Sequence, residues 1–382
     1  MVAIDRWADS MAAWRPVRID PSRCLPQISQ KAACDACQTI CPVCAIRPGE
    51  PTLTTCDTCG LCAAICPADA ILLDDPSDQQ LLQQASRLSA RYDRVLFTCE
   101  QSSDEFSLRP GCLGRLSPEL LLAIAACGFR EVDLIASDAT CSACPKATGL
   151  SLAKHALLEA QSVLDRLGHP CQIRLLPSAP PPTVHRSKGT PPVEQPLYED
   201  RRAFLLSAFG LLRELLPLAR PSTQTEPATP ATSRRRALLH WALSRFSGER
   251  LATADTPWGH CGVELTGHCH HCGICQSLCP NGAITLGQVG QEQLLLDPGR
   301  CHTCGLCTRV CPTEALRLGP ARSLAAVAAG GDQPLGRPVD LNCARCGSPF
   351  HATVPDQKAP SESLCLPCLI RRSSPEEVFL HD

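Results

Sequence analysis

The sequence predicts a multidomain α+β protein: two cysteine-repeat modules, a small parallel α/β domain between them, and a four-cysteine tail. Three observations predict it. A cysteine pattern recurs along the chain, and each copy is followed by a short apolar run. Between residues 91 and 177 the apolar spacing alternates between the strand and helix periods. Proline clusters separate these regions and read as extended connectors. The expected boundaries are 15–80 for the first module, 91–177 for the α/β domain and 178–260 for linkers and amphipathic helices. The second module spans 261–320 and the tail 338–372.

The composition says what holds such a chain together. Of 382 residues, 28 are cysteine, while aromatics make up only 4%, so large buried rings contribute little to its cores. The cysteines must then be disulfides or metal ligands. The N-terminus has no uninterrupted apolar stretch and no small-residue cleavage signal, so no secretory signal peptide is expected. A reducing, cytoplasmic location favours metal ligation over disulfides. No run of eighteen apolar residues occurs, so no membrane span is expected. The net charge of −2 offers no concentrated basic face, and nucleic acid is not an expected partner.

The internal repeat carries the chemistry. Cys56–Pro67 reads CDTCGLCAAICP, Cys269–Pro280 reads CHHCGICQSLCP and Cys301–Pro312 reads CHTCGLCTRVCP. A shorter copy, CDACQTICP, covers Cys34–Pro42. The runs that follow are Ala45-Ile46, Ala70-Ile71-Leu72-Leu73, Ala283-Ile284-Thr285-Leu286 and Ala315-Leu316-Arg317-Leu318, so the repeat includes a strand.

In C-x2-C-x2-C-x3-C-P, three cysteines wrap one iron–sulfur cubane. The fourth sits on the following turn, where proline bends the chain away, and ligates the other cluster. By that logic Cys269, Cys272, Cys275 and Cys311 hold one [4Fe–4S] cluster, and Cys301, Cys304, Cys307 and Cys279 the second. Gly273 and Gly305 relieve crowding where backbone passes close to sulfide. This segment closely resembles bacterial two-cluster ferredoxins, over about 55 residues and all eight ligand positions.

The same logic gives Cys56, Cys59, Cys62 and Cys41 as a cluster set in the first module. The shorter copy supplies only Cys34 and Cys37 before its swapped cysteine, with Cys66 completing the set. Cys24, in a C-x9-C-x2-C-x3-C-P pattern, is the candidate for the missing ligand, and the lengthened loop resembles those of ferredoxin-type electron-transfer subunits. Cys44 is an alternative ligand or else a small buried hydrophobe. A three-iron cluster is the further alternative if Cys24 is unused.

In the middle segment, strands are expected at Arg94–Thr98, Glu131–Ala136 and Gln172–Leu176, with helices at Pro118–Cys127 and Leu150–Leu167. Ser117 is a natural N-cap, and Gly128 and Gly168 are natural stops. Sites in such sheets form beyond the carboxyl ends of the strands. Cys99, Cys112, Cys141 and Cys144 all lie in loops there, so topology gathers four thiols at one edge. Cys112-Leu113-Gly114-Arg115, the helix after it and Cys141-x2-Cys144 resemble the small delta iron–sulfur subunit of the methyl-viologen-reducing hydrogenase and heterodisulfide reductase system. That resemblance implies a [2Fe–2S] cluster and electron passage between a flavin and a partner enzyme. Zinc, or a thiol-rich loop without metal, are the alternatives.

Pro177–Pro196 and Pro217–Ser233 read as connectors, and Tyr198–Leu216 as a helix that packs on a neighbouring domain or docks a partner. A second short amphipathic helix is expected to begin at Arg234. Ser233-Arg234-Arg235 has the look of a twin-arginine signal, but it is internal and is read as a solvated basic turn.

In the tail, Cys343-x2-Cys346 and Cys365-x2-Cys368 have the spacing of a four-cysteine, zinc-ribbon-like site. Rubredoxin-like iron, from which Leu369 departs, and no metal at all are the alternatives. The tail is expected to be a structural staple. Cys127, Cys171 and Cys261 fall outside the sets, the first two as expected core.

The whole points to an iron–sulfur electron-transfer protein with four [4Fe–4S] clusters, a relay subunit of a cytoplasmic oxidoreductase that meets redox partner proteins. No dinucleotide fingerprint and no nucleophile–base constellation appear, so no catalytic residue is expected. Two other classes stay open. One is a catalytic or flavin-coupled component of a hydrogenase, formate dehydrogenase or disulfide reductase. The other is a metal-dependent regulatory or assembly factor.

Overall fold

The computed structural model describes residues 17–47, 50–51, 56–74, 76–99, 107–180, 233–246, 248–252, 257–259, 262–287, 292–356 and 363–373. The N-terminus, the Tyr198–Leu216 helix, most of both proline-rich stretches and Cys261 lie outside them. The chain forms two compact units. One comprises Met1–Asp75, Asp165–Gly168 and Ser247–Asp382, the other Pro76–Leu164 and His169–Phe246.

The first unit begins with β1 (Val17–Ile19) and α1 (Leu25–Ile28), followed by α2 (Ala36–Ile40), the hairpin β2 (Ile46–Arg47) and β3 (Glu50–Pro51), α3 (Leu61–Ile65) and β4 (Ile71–Leu73). β1 and β4 pair antiparallel, Val17 opposite Leu73, so the first and last strands close around the cysteines. Val17, Ile46, Ile71 and Leu73 are the large aliphatic chains of this core, which Cys24 and Cys66 share. So few apolar side chains make a small core, of a size that gives little stability by burial alone.

The second unit begins with α4 (Asp78–Ser89), β5 (Arg94–Thr98), β6 (Ser107–Leu108), α5 (Pro118–Ala125), β7 (Glu131–Ile135), α6 (Asp138–Ser142), α7 (Thr148–Arg166), β8 (Gln172–Leu176) and α8 (Arg234–Leu243). Its sheet is wholly parallel, in the order β6-β5-β7-β8. Ser117 caps α5 by accepting from the Leu120 N–H, as the sequence suggests. The α5 residues Leu120 to Ala125 are all buried, and a helix apolar on every side needs cover on every side. The sheet supplies part of it, and α4 and α8 pack on α5 as well. α8 corrects the expectation of a solvated basic turn: Ser233 caps the helix by accepting from the Arg236 N–H, and Arg236 is buried. Asp133 on β7 is fully buried, and Arg174 on β8 grips its carboxylate with two N–H donors at 2.8 and 3.0 Å.

The rest of the first unit runs through α9 (Gly248–Ala252), β9 (Pro257–Trp258), β10 (Gly262–Leu265), α10 (Ile274–Leu278), β11 (Ile284–Leu286), β12 (Leu294–Leu296), α11 (Leu306–Val310), β13 (Leu316–Gly319), β14 (Arg322–Ser323) and α12 (Leu324–Ala329). It ends with β15 (Gln333–Pro334), β16 (Arg337–Asn342), β17 (Pro349–Val354) and α13 (Leu366–Ser373). β10 and β13 close around the C-terminal cysteines as β1 and β4 do around the N-terminal ones, with Val263 opposite Leu318. β11, β12 and β15 form a three-stranded sheet, and β16–β17 is a hairpin.

Candidate metal centres

The four repeats end on one backbone path. Cys41, Cys66, Cys279 and Cys311 each end a five-residue helix (α2, α3, α10 and α11) in extended conformation, with ψ between 114 and 117°. The proline that follows each of them forbids the helical region. Three residues after each of these cysteines the chain turns left-handed, at Cys44, Asp69, Gly282 and Glu314. That turn lets the N–H of Ala45, Ala70 and Ala283 donate to the sulfurs of Cys41, Cys66 and Cys279, each at 3.3 Å.

In the three full copies, Thr58, His271 and Thr303 also adopt positive φ, as do Gly60, Gly273 and Gly305 before the helices. Left-handed residues with a Cβ are costly, and their recurrence at one repeat position marks a loop held to a fixed shape. In the short copy Asp35 takes the place of Gly60 and has φ −124°, so its loop follows another path.

That path leads to Cys24. Burial, then Cys66, Cys34 and Cys24 in that order, push the Cys37 thiol up to about 11. Burial with Cys59, Cys56 and Cys41 pushes Cys62 up to about 12. Burial with Cys269, Cys272 and Cys311 pushes Cys275 up to about 12. Cys304 is raised to about 12 by burial, with Cys279 and Cys301 adding to it. Cys307 is raised by burial and by Cys301, Cys304, Cys279 and Cys275. Sixteen cysteines are thus brought together as the Cys24, Cys56, Cys301 and Cys269 sets, each named by its first wrapping cysteine. Cys44 is exposed at its left-handed turn, which corrects the expectation of a buried hydrophobe.

These surroundings fit [4Fe–4S] groups. Thiols crowded together in apolar pockets resist ionising singly, and a bound cationic cluster relieves that while N–H donors stabilise the sulfurs.

In the second unit, Cys99, Cys112, Cys141 and Cys144 line one pocket of about 630 Å³ at the carboxyl ends of β5 and β7, with Ile135, Leu150 and Pro177. The thiol of Cys112 donates to Cys99 and lowers its pKa, and the Leu113 N–H donates to the same sulfur at 3.2 Å. Cys127 and Cys171 are buried away from any set, as expected of core residues.

The four tail sulfurs all lie within 4.8 Å of one another. The first pair turns the β16–β17 hairpin, where the Gly347 N–H donates to the Cys343 carbonyl. The second pair opens α13, which is why Leu369 needs no glycine conformation there. One knuckle is therefore a hairpin and the other a helix start. Tetrahedral zinc with bonds of about 2.3 Å sets sulfurs about 3.8 Å apart. Cys346 and Cys365 are 3.7 Å apart, so the donor set fits zinc.

Several contacts around these sites have no local signal in the sequence. Thr353 on β17 is fully buried, exchanges two backbone hydrogen bonds with Cys269, and reaches His271 with its hydroxyl at 2.8 Å. Arg23 donates to the buried side chain of Asn281 at 2.6 Å, across 258 residues of sequence.

Among the described residues, no helix is long and apolar enough to cross a membrane. Neither a curated protein nor a solved structure matches the chain. Residues 268–315, which carry the Cys269 and Cys301 sets, match the family model described as a 4Fe-4S dicluster domain, so this is an iron–sulfur protein.

Proposed function

We propose that the chain is a multi-centre electron relay, a subunit of a larger oxidoreductase, with two ferredoxin-like dicluster modules. The Cys24, Cys56, Cys301 and Cys269 sets would each hold one [4Fe–4S] cluster, which supplies a one-electron carrier when bound. The grouping of sixteen cysteines into four sets of neighbouring thiols, with the same left-handed turn after Cys41, Cys66, Cys279 and Cys311, carries this reading. The protein's own part is to bury the thiolates, direct N–H groups at them and exclude water, the levers that set a cluster's potential. Cys99, Cys112, Cys141 and Cys144 would hold a [2Fe–2S] cluster, and the tail would hold zinc as a staple. Anaerobic titration with a low-potential dye should take up about four electrons per chain into the cubanes. Uptake of two or fewer would contradict the relay.

The pocket in the second unit supports a second reading. Its 630 Å³ falls in the range of small-molecule sites, so it could admit a flavin or a disulfide substrate beside the thiols. Turnover of a disulfide by the isolated protein with reduced dye would favour this reading, and the absence of both turnover and bound flavin would contradict it.

A further inference from the structure

The two cysteine-bearing segments of the first compact unit meet at a buried apolar junction. Leu25 and Ala32 from the N-terminal segment share one cluster with Leu306 and Val310 of α11. Of the sixteen cysteines in the four sets, Cys34 and Cys304 are the two that pack against it. Two polar ties flank the junction: Arg23 to Asn281, and Arg309 Nη1 to the Ala33 carbonyl at 2.7 Å. Neither segment could bury this surface alone, because each contributes one side of it.

On either side of the junction the sets are also neighbours. Cysteines of the Cys301 and Cys269 sets pack on one shared core. Cysteines of the Cys24 and Cys56 sets pack on one shared core. Electron exchange falls steeply with separation, so packing decides which centres communicate. We infer that the four centres form one unbranched line, Cys56 set, Cys24 set, Cys301 set, Cys269 set, with its middle step at the Cys34–Cys304 junction. The inference rests on the four-centre reading above and adds to it an order and a crossing point.

The test uses the full chain, loaded and reduced anaerobically, with EPR and iron analysis on the same samples. Cys34→Ala and Cys304→Ala each remove an inner centre. Either should leave one cluster per chain without a magnetic neighbour, seen as an uncoupled signal. Cys59→Ala and Cys272→Ala each remove an end and should leave no uncoupled signal. Uncoupled signals from the end variants, and not from the inner ones, would overturn the order. Should a cysteine variant lose more than its own four irons, Ala32→Glu combined with Arg309→Ala decides, since it touches no thiol. Wild-type iron with coupling lost between the two pairs supports the junction, and coupling at full strength overturns it. Wild-type iron far below about sixteen per chain overturns the four-centre reading, and the line with it. Full iron with another coupling order overturns the line alone.

Discussion

Arg309 on α11 donates from Nη1 to the backbone carbonyl of Ala33 at 2.7 Å, although 276 residues separate them. Ala33 directly precedes Cys34, and Arg309 lies between Cys307 and Cys311. The bond therefore ties backbone beside one cysteine set to a helix that carries cysteines of two others. It is a long-range contact between segments whose local structure is otherwise set by their own repeats.

The assignment of Cys24 separates cleanly from that of Cys44. Cys24→Ser should remove or convert one cluster, with a loss of up to about four irons per chain. Cys44→Ser should leave iron unchanged, because Cys44 is exposed and takes the left-handed turn position that Asp69 and Glu314 take in other copies. Iron and sulfide analysis of the two variants checks this, and the reverse pattern would exchange their roles.

Asp133 is the most exacting polar group of the parallel sheet. Asp133→Ala removes a fully buried carboxylate that both Arg174 and Arg94 face, and leaves Arg174 with Glu131, at 2.8 Å, as its remaining carboxylate partner. Because Arg174 is partly exposed and keeps Glu131, the loss is that of charge-assisted hydrogen bonds, about 1.5–3 kcal/mol. Hydrogen exchange in β5, β7 and β8 should rise by a matching factor, while exchange in β10 and β13 stays unchanged.

Much of this was legible in the sequence and some was not. Strands β5 and β8 fall where their short apolar runs place them, and Ser117 caps as its type suggests. The repeat showed which cysteines share a backbone path, because proline and glycine act locally on that path. β6 was missed because two residues carry no periodicity, and α8 was separated from its sheet by proline-rich sequence. Cys44 was misjudged because its neighbours are apolar while its φ, which decides its exposure, is set by the turn. The Arg23–Asn281 and Arg309–Ala33 ties left no trace, since nothing near any of these residues in sequence announces a partner so far away.

Thr353 couples the tail hairpin to Cys269. Thr353→Val keeps the shape but strips the hydroxyl that meets His271 at 2.8 Å and the Leu294 N–H at 3.1 Å. Leaving such buried partners unsatisfied costs about 1–3 kcal/mol. The EPR signal of the reduced Cys269 centre should shift while total iron is retained, and an unchanged signal would count against this coupling.

Zinc in the tail and iron in the second unit are separable by single substitutions. Cys346→Ser should lower zinc by one per chain and leave iron alone, as expected of a closed four-thiolate site. Cys144→Ser should lower iron by about two per chain and leave zinc alone. Metal analysis of the two purified variants decides both, and zinc loss from the Cys144 variant would reassign the pocket.

The central claim is that sixteen of the 28 cysteines hold four cubanes in one chain. Quantitative iron and sulfide analysis of the anaerobic wild-type protein tests it most directly. The account predicts about sixteen irons and as many sulfides from the cubanes, with any second-unit cluster adding to that. Fewer than about eight irons per chain would contradict it.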